Sequence, residues 1–185
     1  MRPLTFLTAC CLVIGLLSPQ VRADDPKGAV VKLDKLASTT PADWKSEKPI
    51  NRLRSHQFRL PASMKDAKDA EVYIFPDLTK TVDENFTRYK DMFVPPDGKT
   101  VNDIAKVANI QVGTAKVAIL DMEGTWLYKE RPFDPKSKLE ERPNSRVISV
   151  IFTTDDGNYL IRLSGPKSTV TQHAKAFFDW IKAFK

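Results

Sequence analysis

The spacing of hydrophobic positions switches between two periods along this chain, and the switches mark its elements. Toward the C-terminus, Val170, Ala174, Phe177, Phe178, Ile181 and Phe184 recur every three or four residues. This predicts an amphipathic helix from Lys167 to Phe184, about 27 Å long, with Pro166 near its first turn, where a missing N–H costs little. A second helical pattern lies in TVDENFTRYKDMF. Thr81 and Glu84 fit a capping box, Asp83 favours the positive first turn, and Val82, Phe86, Tyr89 and Phe93 share one face. Val94-Pro95-Pro96-Asp97-Gly98 stops it.

Elsewhere the pattern is that of strands. Leu53 to Leu60 and Ala70 to Phe75 are each ended by a proline, and the polar PASMKDAKD between them allows an antiparallel pair. Val107 to Val112 and Ala115 to Tyr128 flank a Gly113-Thr114 turn. Arg146 to Thr154 and Tyr159 to Leu163 flank Asp155-Asp156-Gly157-Asn158, a hairpin in which Asp-Gly supplies the positive φ. Between these groups, Lys129 to Ser145 (KERPFDPKSKLEERPNS) is charged and proline-bearing and reads as a long loop. Residues 24–43 read as a leader or an edge strand, with Val30, Val31, Leu33 and Leu36 as its apolar positions, and the domain proper as residues 44–185, beginning near Trp44. Strands, a helix, a run of strands and a closing helix do not alternate as a doubly wound sheet would. The expected class is α+β: an antiparallel sheet of about six strands with two main helices packed against it.

The first 23 residues change the picture of where this domain works. Arg2 precedes an apolar run from Leu4 to Leu17, Ser18-Pro19-Gln20 breaks it, and Val21 and Ala23 suit signal peptidase. The run is shorter than the roughly 18–20 residues needed to span a bilayer, so no stable membrane insertion is expected after cleavage. Leu7-Thr8-Ala9-Cys10 matches a lipobox by letters, but the most apolar residues follow the cysteine rather than precede it. Cleavage after Ala23 would leave 162 of the 185 residues and discard Cys10 and Cys11, the only cysteines. The exported domain would then have no disulfide, thiol nucleophile or thiolate metal site.

Basic and acidic residues, 29 and 23 of them, are interspersed. A nucleic-acid binder concentrates its basic residues in a stripe with stacking aromatics, so no nucleic-acid partner is expected. His56 and His173 are the only histidines available for proton transfer at neutral pH. No cofactor and no metal is expected. Asp155-Asp156-Gly157-Asn158 lacks the alternating carboxylates and closing glutamate of a calcium loop. The Asn85-Phe86-Thr87 sequon lies inside the predicted helix.

Candidate chemistry reduces to a few places. Asp121 and Glu123 project from one strand face roughly 7 Å apart, a spacing that paired-carboxylate hydrolases use. Alternation puts Leu120, Met122, Trp126 and Tyr128 on the opposite, core face, leaving the carboxylates on a wet face opposite arginines such as Arg52, Arg54 and Arg59. Ser55 and His56 should point apart as neighbours in a strand, so no nucleophile–base pair is expected. Leu163-Ser164-Gly165-Pro166-Lys167-Ser168 lacks the first glycine of a phosphate loop, but Lys167 and Ser168 at the helix start form a candidate anion site. The best candidate for a partner surface is the long loop, through Arg131, Phe133, Lys136, Lys138 and Arg142.

Several short signatures carry a resemblance. These are Trp44-Lys45 with Lys48-Pro49, Asn51-Arg52 and Arg54; Phe58 with Leu60-Pro61; Asp69-Ala70-Glu71-Val72; Gly124-Thr125-Trp126 with Glu130-Arg131-Pro132; and Leu163-Ser164-Gly165-Pro166-Lys167. They resemble a family of uncharacterised exported bacterial proteins of planctomycete type. More distantly, the element order is similar to the fold shared by the photosystem extrinsic protein PsbP and the Ran-binding protein Mog. That resemblance implies an α/β/α sandwich and no particular ligand. The expected function is an exported, non-catalytic binding or assembly domain of the periplasm or cell envelope, or a secreted one, whose partner is an envelope protein or ligand. The alternative is an envelope hydrolase using Asp121 and Glu123 or one histidine.

Overall fold

The computed structural model describes residues 28–64, 67–76, 78–129 and 134–185. The expected signal segment, and Arg131 and Phe133 of the candidate loop, lie outside the described residues. In chain order the elements are β1 (Val30–Leu33), β2 (Leu36–Thr39), β3 (Lys45–Glu47), β4 (His56–Leu60), β5 (Ala70–Phe75), α1 (Val82–Lys90), β6 (Phe93–Val94), α2 (Val101–Ile104), β7 (Ala105–Val112), β8 (Ala115–Lys129), β9 (Leu139–Thr154), β10 (Gly157–Pro166) and α3 (Lys167–Lys182).

Eight strands form one antiparallel sheet in the order β3-β4-β5-β10-β9-β8-β6, with β7 also paired to β8. The class is α+β, as the element order implies, with more strands than the expected six. The β4–β5 pair forms with Leu60 opposite Ala70, and the β9–β10 hairpin closes with Thr154 opposite Gly157, whose φ is +138°. β1 and β2 make a separate hairpin. It is tied down at the C-terminus, where Ala37 and Lys185 exchange backbone hydrogen bonds of 3.0 and 3.2 Å. Val31, Leu33 and Leu36 join the main core.

Both faces of the sheet are used. On one, α3 lays Val170, Phe177, Trp180 and Ile181 onto Phe58, Val72, Ile148, Val150 and Leu163. Trp44 stacks on Phe177 at 6.3 Å and meets Trp180 edge-on at 5.2 Å, which closes this layer near β3. On the other face, α1 and β6 bring Phe86, Tyr89 and Phe93 onto Leu120, Met122, Trp126 and Ile151. The capping box at Thr81 and Glu84 forms as the sequence predicts. The helix ends at Lys90, however, so that Phe93 can pair as a strand residue opposite Trp126.

The expected loop from Lys129 to Ser145 is half strand. β9 begins at Leu139 and runs antiparallel to β8, with Leu139 opposite Lys129 and Arg142 opposite Trp126. The register slips between Gly124 and Trp126, so Pro143 and Asn144 together face Thr125, and Asn144 adopts φ +52°. Proline and asparagine, which read as loop residues, here form a β-bulge inside a continuous strand, the device that bends and twists a strand pair.

Candidate functional site

The α1-side face of the sheet is covered only in part. Cross-strand pairing sets largely polar residues in rows on this face, first a buried row and then one that borders the uncovered part. Gln57 faces Tyr73, which faces Arg162, which faces Ser149, and the next row runs Arg59, Glu71, Ser164 and Val147. β10 ends at Pro166 opposite Ser145, while the β8–β9 ribbon continues past the bulge to Lys129 and Leu139. The result is a groove of about 560 Å³. Its floor is Ser164 and Gly165, one wall is Trp126, Tyr128 and Arg142, and the other carries Glu47, Arg59 and Asp69. Gly165, at φ +154°, is needed there because a Cβ would come within 3.0 Å of the Ala70 Cα.

The groove's charges are organised. Arg142 lies 3.4 Å over the Tyr128 ring and holds Glu140 at 2.9 Å. Arg59 bridges Glu47 at 2.8 Å and Asp69 at 3.4 Å. Beneath them Arg54 is buried, 3.9 Å over the Tyr73 ring, and reaches Gln57 at 2.8 Å and Glu71 at 3.2 Å. Burial raises the Tyr128 phenol's pKa and Glu71 adds to it, so the hydroxyl stays protonated and able to donate. Trp126 and Tyr128 meet edge-on at 5.0 Å. Along the outer side of β9, residues before Ser145 have no β10 partner, so among the described residues that stretch offers an open sheet edge beside the aromatics.

Of the candidate partner-loop residues, Arg142 lines this groove, while Lys136 and Lys138 are exposed on the approach to β9. Lys167 is not available as a free cation, because its Nζ pairs with Glu123 at 2.6 Å; Ser168 is exposed beside it. Asp121 and Glu123 do not stand on a wet face opposite Arg52, Arg54 or Arg59. Those arginines belong to β4 or the turn before it, four strand spacings away, roughly 19 Å, and Arg54 and Arg59 serve the other face. Instead Arg146 grips Asp121 bidentately at 2.9 and 2.7 Å, lies 3.6 Å from Glu123 and donates to Thr171. Glu123's pKa is lowered, chiefly by the Lys167 hydrogen bond. A depressed carboxyl tied to two cations is the reverse of a general acid.

The histidines are not brought together. His173 is buried and its Nε2 lies 2.9 Å from the Pro61 carbonyl, fastening α3 to the end of β4. His56 is at the other end of that strand, roughly 17 Å away by strand rise. Ser55 and His56 do meet, with Nδ1 3.1 Å from Oγ, contrary to the expectation from alternation, because Ser55 precedes the strand and its side chain is free of the pleat. The hydroxyl reaches toward the Ile74 carbonyl at 3.4 Å rather than presenting its proton to the ring. Burial lowers the His56 pKa.

The sequence reading missed Trp126, Tyr128, Glu71 and Arg59 as site residues. The available signal was charged and polar residues at every second position of strands whose alternate residues are apolar: Gln57 and Arg59, Glu71 and Tyr73, Arg162 and Ser164.

No family model matches the chain and no curated protein matches it. Among solved structures it is similar to a Pseudomonas aeruginosa protein of unknown function, PA94, at 14% identity over 84% of this chain and 94% of that one, with a TM-score of 0.47. It is also similar to cyanobacterial PsbP (CyanoP) from Synechocystis sp. PCC 6803, at 14% identity over 92% and 99%, with a TM-score of 0.49.

Proposed function

We propose that this is an exported, non-catalytic binding domain whose groove holds an extended segment of a partner protein in the cell envelope. The observation that carries the reading is the uncovered part of the α1-side face. There a concave groove of about 560 Å³ combines an open strand edge with Trp126, Tyr128 and Arg142. An extended peptide adds to such an edge through its backbone and places alternate side chains against the aromatics. The partner-binding role expected of Arg142 fits this groove. Export rests on the pattern of residues 1–23. The hydrolase alternative has little support, since Asp121 and Glu123 are bound to Arg146 and Lys167.

Site-directed photo-crosslinking tests the reading. A photoreactive amino acid replacing Glu141 should capture a partner from envelope extract and be competed by excess unmodified domain. The same amino acid replacing Lys175, exposed on α3, should not. Equal capture from the two positions would refute the groove as the binding surface.

A further inference from the structure

The two ends of the sheet differ in how they are protected against pairing. At one end β3 is three residues long, carries Lys45 and Glu47, and lies between Pro41 and Pro49. Short length, charge and nearby proline keep an edge strand from pairing with another chain. At the other end β7 runs for eight residues as AKVANIQV, with one charge, no proline and an unbroken register against β8. Among the described residues no other element gives it a backbone hydrogen bond. Lys106, Val107, Ala108, Asn109 and Gln111 are exposed, so β7 projects beyond the layers on both faces of the sheet.

The register of the β7–β8 hairpin fixes which backbone groups are unspent. Val112 and Ala115 flank the Gly113-Thr114 turn, so the turn's closing hydrogen bond joins them. Antiparallel pairs alternate, so Ile110, Ala108 and Lys106 also spend their backbone groups on β8, while Ala105, Val107, Asn109 and Gln111 turn theirs outward. These four are symmetric about Ala108. An identical strand brought in antiparallel, with Ala108 opposite Ala108, sets Val107 against Asn109 and Ala105 against Gln111, and every outward group finds a partner. On the other face Lys106 falls opposite Ile110. The two copies of Lys106 are then about 13 Å apart along the strand, so no like charges are opposed.

We propose that β7 is a self-association edge, through which two copies of this chain pair in an antiparallel register centred on Ala108 and join their sheets into one. The contact is isologous and closed, with its two-fold axis perpendicular to the sheet. None of the residues lining the groove belongs to β7, so both grooves stay open, on the same face of the joined sheet. The association stands or falls apart from the function proposed above. Sedimentation of the full chain should show a reversible dimer at about 100 μM. Ala108→Lys sets like charges directly opposite each other at an exposed position. It should weaken the dimer at least about tenfold, with partial recovery in high salt and an unchanged circular dichroism spectrum. Disulfide trapping reads the register separately, in a Cys10→Ser, Cys11→Ser background that holds no other thiol. Opposed residues of a non-hydrogen-bonded pair lie about 4.5 Å apart at Cα, so Ala108→Cys should link two chains under mild oxidation. Gln111→Cys, also exposed but about 20 Å from its symmetry mate along the strand, should link at least about tenfold more slowly. A chain monomeric at that concentration, or a dimer indifferent to Ala108→Lys, would overturn the proposal, as would equal trapping from the two cysteine positions.

Discussion

The two faces of one sheet have been put to different uses, and the covering helix decides which. On the α3 side, sixteen helical residues span the strands, and Phe177 and Trp180 of the helix join Trp44 and Phe184 in a continuous aromatic box. On the α1 side a nine-residue helix reaches only part of the sheet. Where it reaches, Leu120 and Met122 are core; where it stops, the sheet presents Arg59, Glu71 and Tyr128 to a groove, with Trp126 at the boundary between the two. A strand's alternation says which residues share a face, but the length of the opposing element says whether that face is core or site.

The contrast is sharpened by substitution. The largest effect should come from Phe177→Ala, which empties a fully buried ring position on the α3 face. A loss of about 3–5 kcal/mol in denaturant unfolding is expected. Next is Asp121→Ala. It strips the bidentate partner from Arg146, whose side chain and Asp121's are 13% and 12% exposed, and should cost about 1–3 kcal/mol. On the groove side, Tyr128→Ala removes a half-buried ring and its contact with Arg142, so a loss below about 1 kcal/mol is expected. The same change should weaken partner binding at least about tenfold, reversing the order seen on the other face. A large stability loss with unchanged binding would show that the groove is merely more core.

The smallest effects are in pH dependence. Glu123 has a folded pKa below its unfolded value. Its ion pair therefore contributes stability above the ordinary carboxylate range, and that contribution is lost as pH falls through the lowered pKa. Lys167→Met should move the Glu123 titration back up, read by NMR. His56 works in the opposite sense. Burial lowers its pKa, so the unfolded chain takes the proton more readily and stability declines as pH falls below about 6.5. His56→Gln should flatten that slope.

Much of the scaffold was legible in the sequence because the signals are local. The capping box at Thr81, the Asp-Gly hairpin and the stripe of α3 depend on residues a few positions apart. The groove was not. Pro143 and Asn144 are loop residues by composition, and only the partner strand, opposing them with Thr125 alone, makes them a bulge. Asp121 and Glu123 read as wet-face carboxylates because Arg146 and Lys167, which take them up, come from a strand and a helix start well over twenty residues later. Arg142 reads as part of a charged loop; its use depends on the Tyr128 ring beneath it, set by register.

Amide hydrogen exchange across Leu139–Ser145 tests the central claim most directly, using the partner segment recovered by crosslinking from Glu141. If the open edge of β9 takes up an extended peptide, amides there that face away from β8 should slow at least about tenfold on binding. Those of α3 should exchange unchanged. Protection appearing on α3, with the β9 edge exchanging as in the free protein, would contradict the assignment of function to the uncovered part of the sheet.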